Sequence, residues 1–158
     1  MKISAQDEYG LRILLRIGRA DTDKGLSIPQ LSELEGLSAA YVGKLTRVLR
    51  LAGFIESTRG QKGGYVLSKP AEEIKINEVL NTLGGRLFDE KFCGGFSGKN
   101  NFCTNSVDCS VRSLWKIVQF AVDHLLETIT LSDLIGTEGE TKAGLREKLE
   151  AHLESLTL

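Results

Sequence analysis

The residues of this chain best suited to chemistry are its three cysteines, which all lie between positions 93 and 110. Nine residues separate Cys93 from Cys103, and five separate Cys103 from Cys109. The residues between them are mostly Gly, Asn, Ser and Thr, which favour turns and supply backbone donors but little core. A segment this long without regular structure is uncommon in a compact domain unless it carries function. We therefore interpret the thiols as a candidate metal or iron–sulfur site.

Other interpretations of the cysteines remain open but are weaker. A disulfide framework is disfavoured, because the number of thiols is odd and no signal peptide is apparent. A catalytic thiol needs a base, and the only histidines, His124 and His152, fall in distant helical segments. Zinc sites favour short Cys-x-x-Cys pairs, which are missing here, whereas iron–sulfur clusters accept wider spacings. Three cysteines without any ligand are the remaining alternative.

Composition favours one domain, or one domain with an appendage, since 158 residues with 41% hydrophobic content can bury a core. No apolar run approaches the length of a membrane span, so we expect no membrane partner. A cytoplasmic location, where thiols stay reduced, is expected. No paired acid–base set and no phosphate-binding loop occurs, so we do not expect an enzyme.

Charge is distributed unevenly along the chain. Residues 1–69 carry 11 Lys and Arg against 7 Asp and Glu, whereas residues 70–158 carry 9 against 14. A basic amino-terminal half and an acidic remainder indicate that the first half binds a polyanion, with chance asymmetry as the alternative.

The amino-terminal half has the pattern of a helix-turn-helix. Residues 3–19 predict a first helix, and Ser27 followed by Gln30 forms a capping-box pattern that opens a second. Gly36 ends the second helix, and Ser38 caps a third, which is predicted to reach about position 52. Two helices joined by so short a turn are typical of DNA-binding proteins.

The third helix has the composition of a recognition helix. One of its faces combines small residues with two cations, which suits close approach to the major groove. The residues that we expect to contact DNA from this helix are Ser38, Ala40, Tyr41, Lys44 and Arg47.

A β-hairpin is predicted directly after the third helix. Residues 54–59 and 65–68 have strand character, and the glycine-rich residues 60–64 form the turn. A hairpin in this place is a wing. We expect Arg59 at its tip to enter a narrow minor groove and Lys62 to contact the phosphate backbone.

Several motifs together resemble the IscR/NsrR family of winged-helix transcription regulators. They are Gly36-Leu-Ser-Ala-Ala-Tyr41, Thr58-Arg-Gly-Gln-Lys-Gly-Gly-Tyr65, Ile74-Lys-Ile-Asn-Glu-Val79 and Thr130-Leu-Ser-Asp-Leu134. The first three precede the three-cysteine segment, and the last follows it. The resemblance covers about residues 1–135. It implies a homodimer on a double-stranded operator, acting as a repressor whose DNA binding depends on an iron–sulfur cluster that senses nitric oxide, redox state or iron supply. The alternative is a cluster-free regulator controlled by a partner protein, a small ligand or direct thiol oxidation.

The resemblance also implies a ligand set. IscR-type members carry a histidine three residues after the third cysteine, but this chain has Arg112 there, which cannot bind iron. NsrR-type members use an acidic residue in the first helix of the other subunit, and the matching residue is Glu8, with Asp7 beside it. The first cysteine interval is longer than in either type. The implied ligands are Cys93, Cys103, Cys109 and Glu8, with two or four irons both open.

The rest of the chain is predicted to be helical. A long helix over about residues 108–129, with Asp108 as its N-cap, would place Cys109 at the positive end of the helix dipole. Its apolar residues recur at the spacing of a seam for a partner helix; they are Leu114, Val118, Ala121 and Leu125. After a linker at 136–140, an amphipathic helix is predicted over 142–156.

We therefore expect a mainly α fold with a small β-hairpin wing: a winged helix-turn-helix plus a long dimerisation helix. The predicted division is a DNA-binding domain at 1–69, a connecting helix at 70–91, a cluster-binding loop at 92–110, a dimerisation helix at 111–135 and a C-terminal amphipathic tail at 136–158.

Overall fold

The computed structural model describes residues 3–20, 22–58, 63–86, 88, 91–95 and 103–155, with 91, 92 and 155 as backbone only. The elements within these ranges are α1 (Ala5–Gly18), α2 (Ile28–Glu35), α3 (Ala39–Leu51), β1 (Ile55–Ser57), β2 (Tyr65–Leu67), α4 (Ile76–Leu83), α5 (Lys91–Gly94), α6 (Ser110–Leu126) and α7 (Glu138–Ser155). Short 3-10 turns lie at Ala71–Glu73 and Ser132–Leu134. The predicted fold class, mainly helical with one hairpin, is confirmed. Within these ranges, none of the helices has the length and apolar character needed to cross a membrane.

The first two helices begin where local sequence signals place them. The backbone N–H and the hydroxyl of Ser4 donate to Asp7 Oδ2 at 3.0 and 2.6 Å, which forms a capping box at the start of α1. The same two groups of Ser27 donate to Gln30 Oε1 at 2.9 and 2.8 Å at the start of α2. Each pair satisfies backbone donors that a helix start would otherwise leave free.

The turn between α2 and α3 is short and tightly bonded. Gly36 adopts the left-handed region with φ 65°, and the Leu37 N–H donates to Ser32 O at 3.1 Å. The Ser38 hydroxyl accepts from the Tyr41 N–H at 3.3 Å and so caps α3. The helix-turn-helix predicted from Gly36 and Ser38 is therefore present.

A single hydrophobic core joins the helix-turn-helix to the segments on both sides of α6. Its buried side chains are Ile13, Leu14, Ile17, Leu31, Val42, Leu45, Leu49, Phe54, Ile55, Ile74, Ile76, Val79, Leu83, Ile129 and Leu131. Two backbone bonds fasten the start of α4 to the chain that follows α6: Ile76 N–H to Ile129 O at 2.9 Å, and Leu131 N–H to Ile74 O at 2.8 Å. The core therefore draws on residues from both sides of position 70.

The wing is larger at its base than the sequence suggests. Strands β1 and β2 pair antiparallel, with Ile55 opposite Leu67 and Ser57 opposite Tyr65. Leu26, from the loop between α1 and α2, adds an isolated bridge on the other side of β2, with hydrogen bonds of 3.1 and 2.9 Å to Tyr65. Gly64 lies so close to Leu26 that a Cβ there would be 2.6 Å from the Leu26 carbonyl carbon, so glycine is required.

Both C-terminal helices begin at other residues than predicted. Asp108 is not the N-cap of α6; Cys109 is, with extended backbone, and its sulfur accepts from the Arg112 N–H at 3.3 Å. The helix ends at Leu126 and not near 129, because Ile129 turns into the core. Helix α7 begins at Glu138, inside the predicted linker. Its start is fixed by the Thr137 N–H and hydroxyl, which donate to Glu140 Oε2 at 2.8 Å each and lower the pKa of that carboxyl.

Candidate nucleic-acid interface and cysteine site

The recognition helix α3 exposes the face predicted to read DNA. Ser38, Ala40, Lys44 and Arg47 are exposed, and Tyr41 is half-buried. The opposite face fills the core with Val42, Leu45, Thr46 and Leu49. Lys44 and Arg47 are therefore free to reach a groove, and their contact with DNA stays a prediction.

A buried ion cluster holds α2 against α1. The Glu35 side chain, only 2% exposed, accepts Arg12 Nε and Nη2 on Oε2 at 2.8 and 2.7 Å, and Arg16 Nε on Oε1 at 2.8 Å. A buried carboxylate is tolerated only when it is paired and hydrogen-bonded, as here. Arg12 and Arg16 are four residues apart and so share one face of α1, but their sequence positions give no indication of this partner.

An aromatic contact joins α1 to the first turn of α3. The rings of Tyr9 and Tyr41 meet edge to face, with centroids 6.1 Å apart and planes at 84°. The Arg12 guanidinium lies 5.7 Å from the centroid of the Tyr9 ring, within cation–π range. Arg12 therefore contacts both Glu35 and Tyr9.

The base of the wing is fixed by Thr58. Its hydroxyl donates to Lys24 O at 2.8 Å and accepts from the Gly64 N–H at 2.8 Å. The predicted wing-tip contacts, Arg59 and Lys62, lie outside the described residues. The wing that would carry them is thus anchored to the loop before α2.

The three cysteines are free thiols, and each is half-buried. Cys93 belongs to the short helix α5, and Cys109 caps α6. The side chain of Arg112 closes the turn between Cys103 and Cys109, because Nη1 donates to Ser106 O at 2.9 Å. Residues 96–102, between the first two cysteines, lie outside the described part of the chain.

The donor chemistry fits an iron–sulfur cluster better than the observed geometry does. Three free thiols in one segment, one of them at the N-cap of α6, are the donors such clusters use. Within the residues described, however, no group of three or more His, Cys, Asp or Glu side chains is arranged to hold a metal ion. A single subunit therefore does not display Cys93, Cys103, Cys109 and Glu8 as an assembled site.

The two adjacent acids of α1 have different surroundings. Asp7 is buried, with Oδ2 occupied by Ser4 and Oδ1 without a hydrogen-bond partner. Glu8 is exposed and lines an open cavity of about 720 Å³ between α1 and residues 134–141. Glu8 is thus the acid that another molecule can reach.

A capped helix-turn-helix with an exposed basic face, followed by an anchored hairpin, defines a winged-helix DNA-binding transcription regulator. Comparison with known proteins gives the family: residues 3–137 match the model of Rrf2, described as an iron-dependent transcriptional regulator, and the chain belongs to that family. Its members are regulators that bind DNA, not enzymes, and the resemblance to IscR-type proteins is confirmed.

Individual relatives cover most of the chain. The protein rrf2 of Nitratidesulfovibrio vulgaris is 35% identical over 135 residues, covering 85% of this chain and 87% of that protein. The structure of CymR, the global cysteine regulator of B. subtilis, superposes with a TM-score of 0.66 at 27% identity, covering 85% of this chain and 96% of the other. The structure of T. potens IscR gives a TM-score of 0.66 at 29% identity, with 85% and 86% coverage.

Proposed function

We propose that this chain is a cytoplasmic, homodimeric repressor whose affinity for its operator is controlled by an iron–sulfur cluster. The cluster would be held by Cys93, Cys103 and Cys109 of one subunit and by the partner subunit's Glu8. The carrying observation is the free state of all three thiols in one segment that leads into α6. When bound, the cluster would supply a group that responds to nitric oxide, redox state or iron supply.

The surroundings of the ligands support this set. The Cys109 sulfur already accepts a backbone N–H at the start of α6. Asp7 is committed to capping α1, which leaves Glu8 as the acid available to a second subunit. Arg112 stands where a histidine ligand would be, and its guanidinium bonds the loop backbone instead. A carboxylate is a weaker ligand than a thiolate for such iron, so its bond would be the first to break.

A dimer through α6 is part of the proposal, because α6 presents a wide apolar face to solvent. Ile117 and Phe120 are 67% and 69% exposed, and Val111, Leu114 and Trp115 are exposed beside them. Monomeric proteins rarely leave so continuous an apolar surface uncovered. Two-fold pairing would also place two recognition helices on a palindromic operator.

The test is purification without oxygen, followed by iron and sulfide analysis and visible spectroscopy. The expected protein is coloured by thiolate-to-iron charge transfer, and Cys93→Ser, Cys103→Ser and Cys109→Ser each bleach it. An operator selected from random-sequence DNA should bind cluster-bearing and cluster-free protein with different affinity. Glu8→Gln should change the spectrum and that affinity ratio. Asp7→Asn, its matched control, should change neither. A colourless, iron-free protein that also resists reconstitution would overturn the cluster.

A second candidate is a cluster-free regulator that senses thiol oxidation directly. It is favoured by the absence of an assembled metal group among the described residues and by the similarity to CymR, a cysteine regulator. In that case the iron-free protein would still change its operator affinity on mild oxidation. The same cysteine variants would abolish the change.

A further inference from the structure

Helix α1 contacts the helix-turn-helix on both sides of its turn. Before the turn, Glu35 is bonded by Arg12 and Arg16. After the turn, the Tyr41 ring receives the Tyr9 ring. The position of α1 is therefore linked to the end of α2 and to the start of the recognition helix at the same time.

Arg12 is the residue common to the two contacts. Its Nε and Nη2 lie 2.8 and 2.7 Å from Glu35 Oε2, and its guanidinium carbon lies 5.7 Å from the Tyr9 ring centroid. Arg16 shares only the first contact, through its Nε on Glu35 Oε1 at 2.8 Å. The two arginines are thus chemically alike but differ in whether they touch the aromatic pair.

Both contacts are directional, which suits them to fix an orientation. A guanidinium bonds a buried carboxylate within a narrow range of angles, and here both oxygens are occupied. An edge-to-face aromatic pair also has a preferred geometry beyond simple burial. A shift of α1 along its axis would disturb both contacts and move the first turn of α3, which carries Ala40 and leads to Lys44.

We propose that Tyr9, Arg12 and Glu35 are positioning residues that orient the start of the recognition helix for DNA. Tyr9 and Arg12 lie on α1 and Glu35 ends α2, so these residues fix α1 against both helices of the helix-turn-helix.

The experiment compares Arg12→Gln and Tyr9→Leu with Arg16→Gln in the full-length protein. Thermal unfolding, operator affinity and amide hydrogen exchange of residues 38–42 are measured for each. Arg12→Gln and Tyr9→Leu should weaken operator binding by about three- to tenfold and speed exchange in this turn. Arg16→Gln should lose similar thermal stability with a clearly smaller effect on affinity and exchange. Tyr9→Phe, which keeps the ring, should restore most of the affinity lost in Tyr9→Leu.

Equal effects of Arg12→Gln and Arg16→Gln on affinity and exchange would overturn the positioning role. If Arg12→Gln does not fold, equal affinity of Tyr9→Leu and wild type would overturn it.

Discussion

Arg47 is an exposed arginine on the recognition helix α3, and we predict that it contacts DNA. It is exposed on α3, whereas Leu45 and Thr46 beside it are fully buried, so its side chain has no structural task within the described subunit. An arginine with this freedom on a recognition helix is suited to bidentate contact with guanine.

Arg47→Ala is expected to weaken binding to the selected operator by about 1–3 kcal/mol and to relax base preference at one position of each half-site. Arg50→Ala is the matched control, since Arg50 is also exposed on α3 but lies in its last turn. Quantitative binding to a panel of operator variants measures both effects. The same loss in Arg50→Ala would mean that α3 contributes only general positive charge.

Residue roles were predictable from sequence where the partner is close along the chain. Ser27 and Gln30 are three residues apart, and their capping box is visible in the sequence. Glu35 is 23 and 19 residues from Arg12 and Arg16, and nothing in its local sequence distinguishes a buried ion cluster from a solvated acid. Asp108 was wrongly predicted as an N-cap because cysteine is an unusual capping residue, although Cys109 fills that role.

Among the secondary-structure elements, the long helices were predicted well, whereas the isolated backbone pairing of Leu26 with Tyr65 was not predicted. The helices α1, α3 and α6 have apolar residues at helical spacing, so their existence follows from periodicity. The Leu26 bridge to Tyr65 involves a single residue pair and has no periodicity at all. The arrangement that the three cysteines would take around a cluster has no local signal either, because their spacing defines the donors but not their geometry.

Helix α7 lies beyond the residues matched by the family, yet it is attached to the body by a specific contact. Lys148 Nζ lies 2.6 Å from Asp133 Oδ2 and donates to Thr128 O at 2.9 Å. Burial alone would raise the pKa of Asp133, but hydrogen bonds from Lys148 and from the backbone and hydroxyl of Thr130 outweigh it and lower this pKa.

Asp133→Asn is therefore expected to reduce the free energy of unfolding by about 0.5–1.5 kcal/mol near neutral pH. Because the pKa of Asp133 is lower in the folded state, its contribution is complete above the ordinary value of 3.8. It is lost as the pH falls through the lowered folded value. Denaturant unfolding of both proteins from pH 7 to pH 3 measures this. A difference that grows towards acid pH would contradict the assignment.

At the scale of the whole molecule, the exposed apolar face of α6 sets the expected assembly. Gln119 is buried against the body, where its Oε1 accepts the Phe88 N–H at 3.0 Å. The helix is therefore oriented with Leu114, Ile117 and Ala121 away from the body. Within the predicted seam, Leu114 and Ala121 are exposed, whereas Val118 and Leu125 are half-buried, and the pairing itself stays a prediction.

Ile117→Asp and Phe120→Asp should each convert a dimer into monomers, because a carboxylate at the centre of an apolar interface loses its hydration without gaining a partner. Light scattering after size exclusion measures the mass, and operator affinity should fall by about tenfold or more. Leu51→Asp is the control for mass, since Leu51 is an exposed apolar residue on α3, at 73%. A wild-type mass in both α6 variants would exclude α6 as the interface.

The Leu26 bridge also bears on how the protein behaves when it is not on DNA. Strand β2 has β1 on one side and Leu26 on the other, so both backbone groups of Tyr65 are occupied. An uncovered strand edge is a template on which a second molecule can add its own strand, and hairpins are prone to such aggregation. The residue pair at Leu26 occupies this edge of β2 at Tyr65, so a strand of a second molecule cannot pair with β2 at that position.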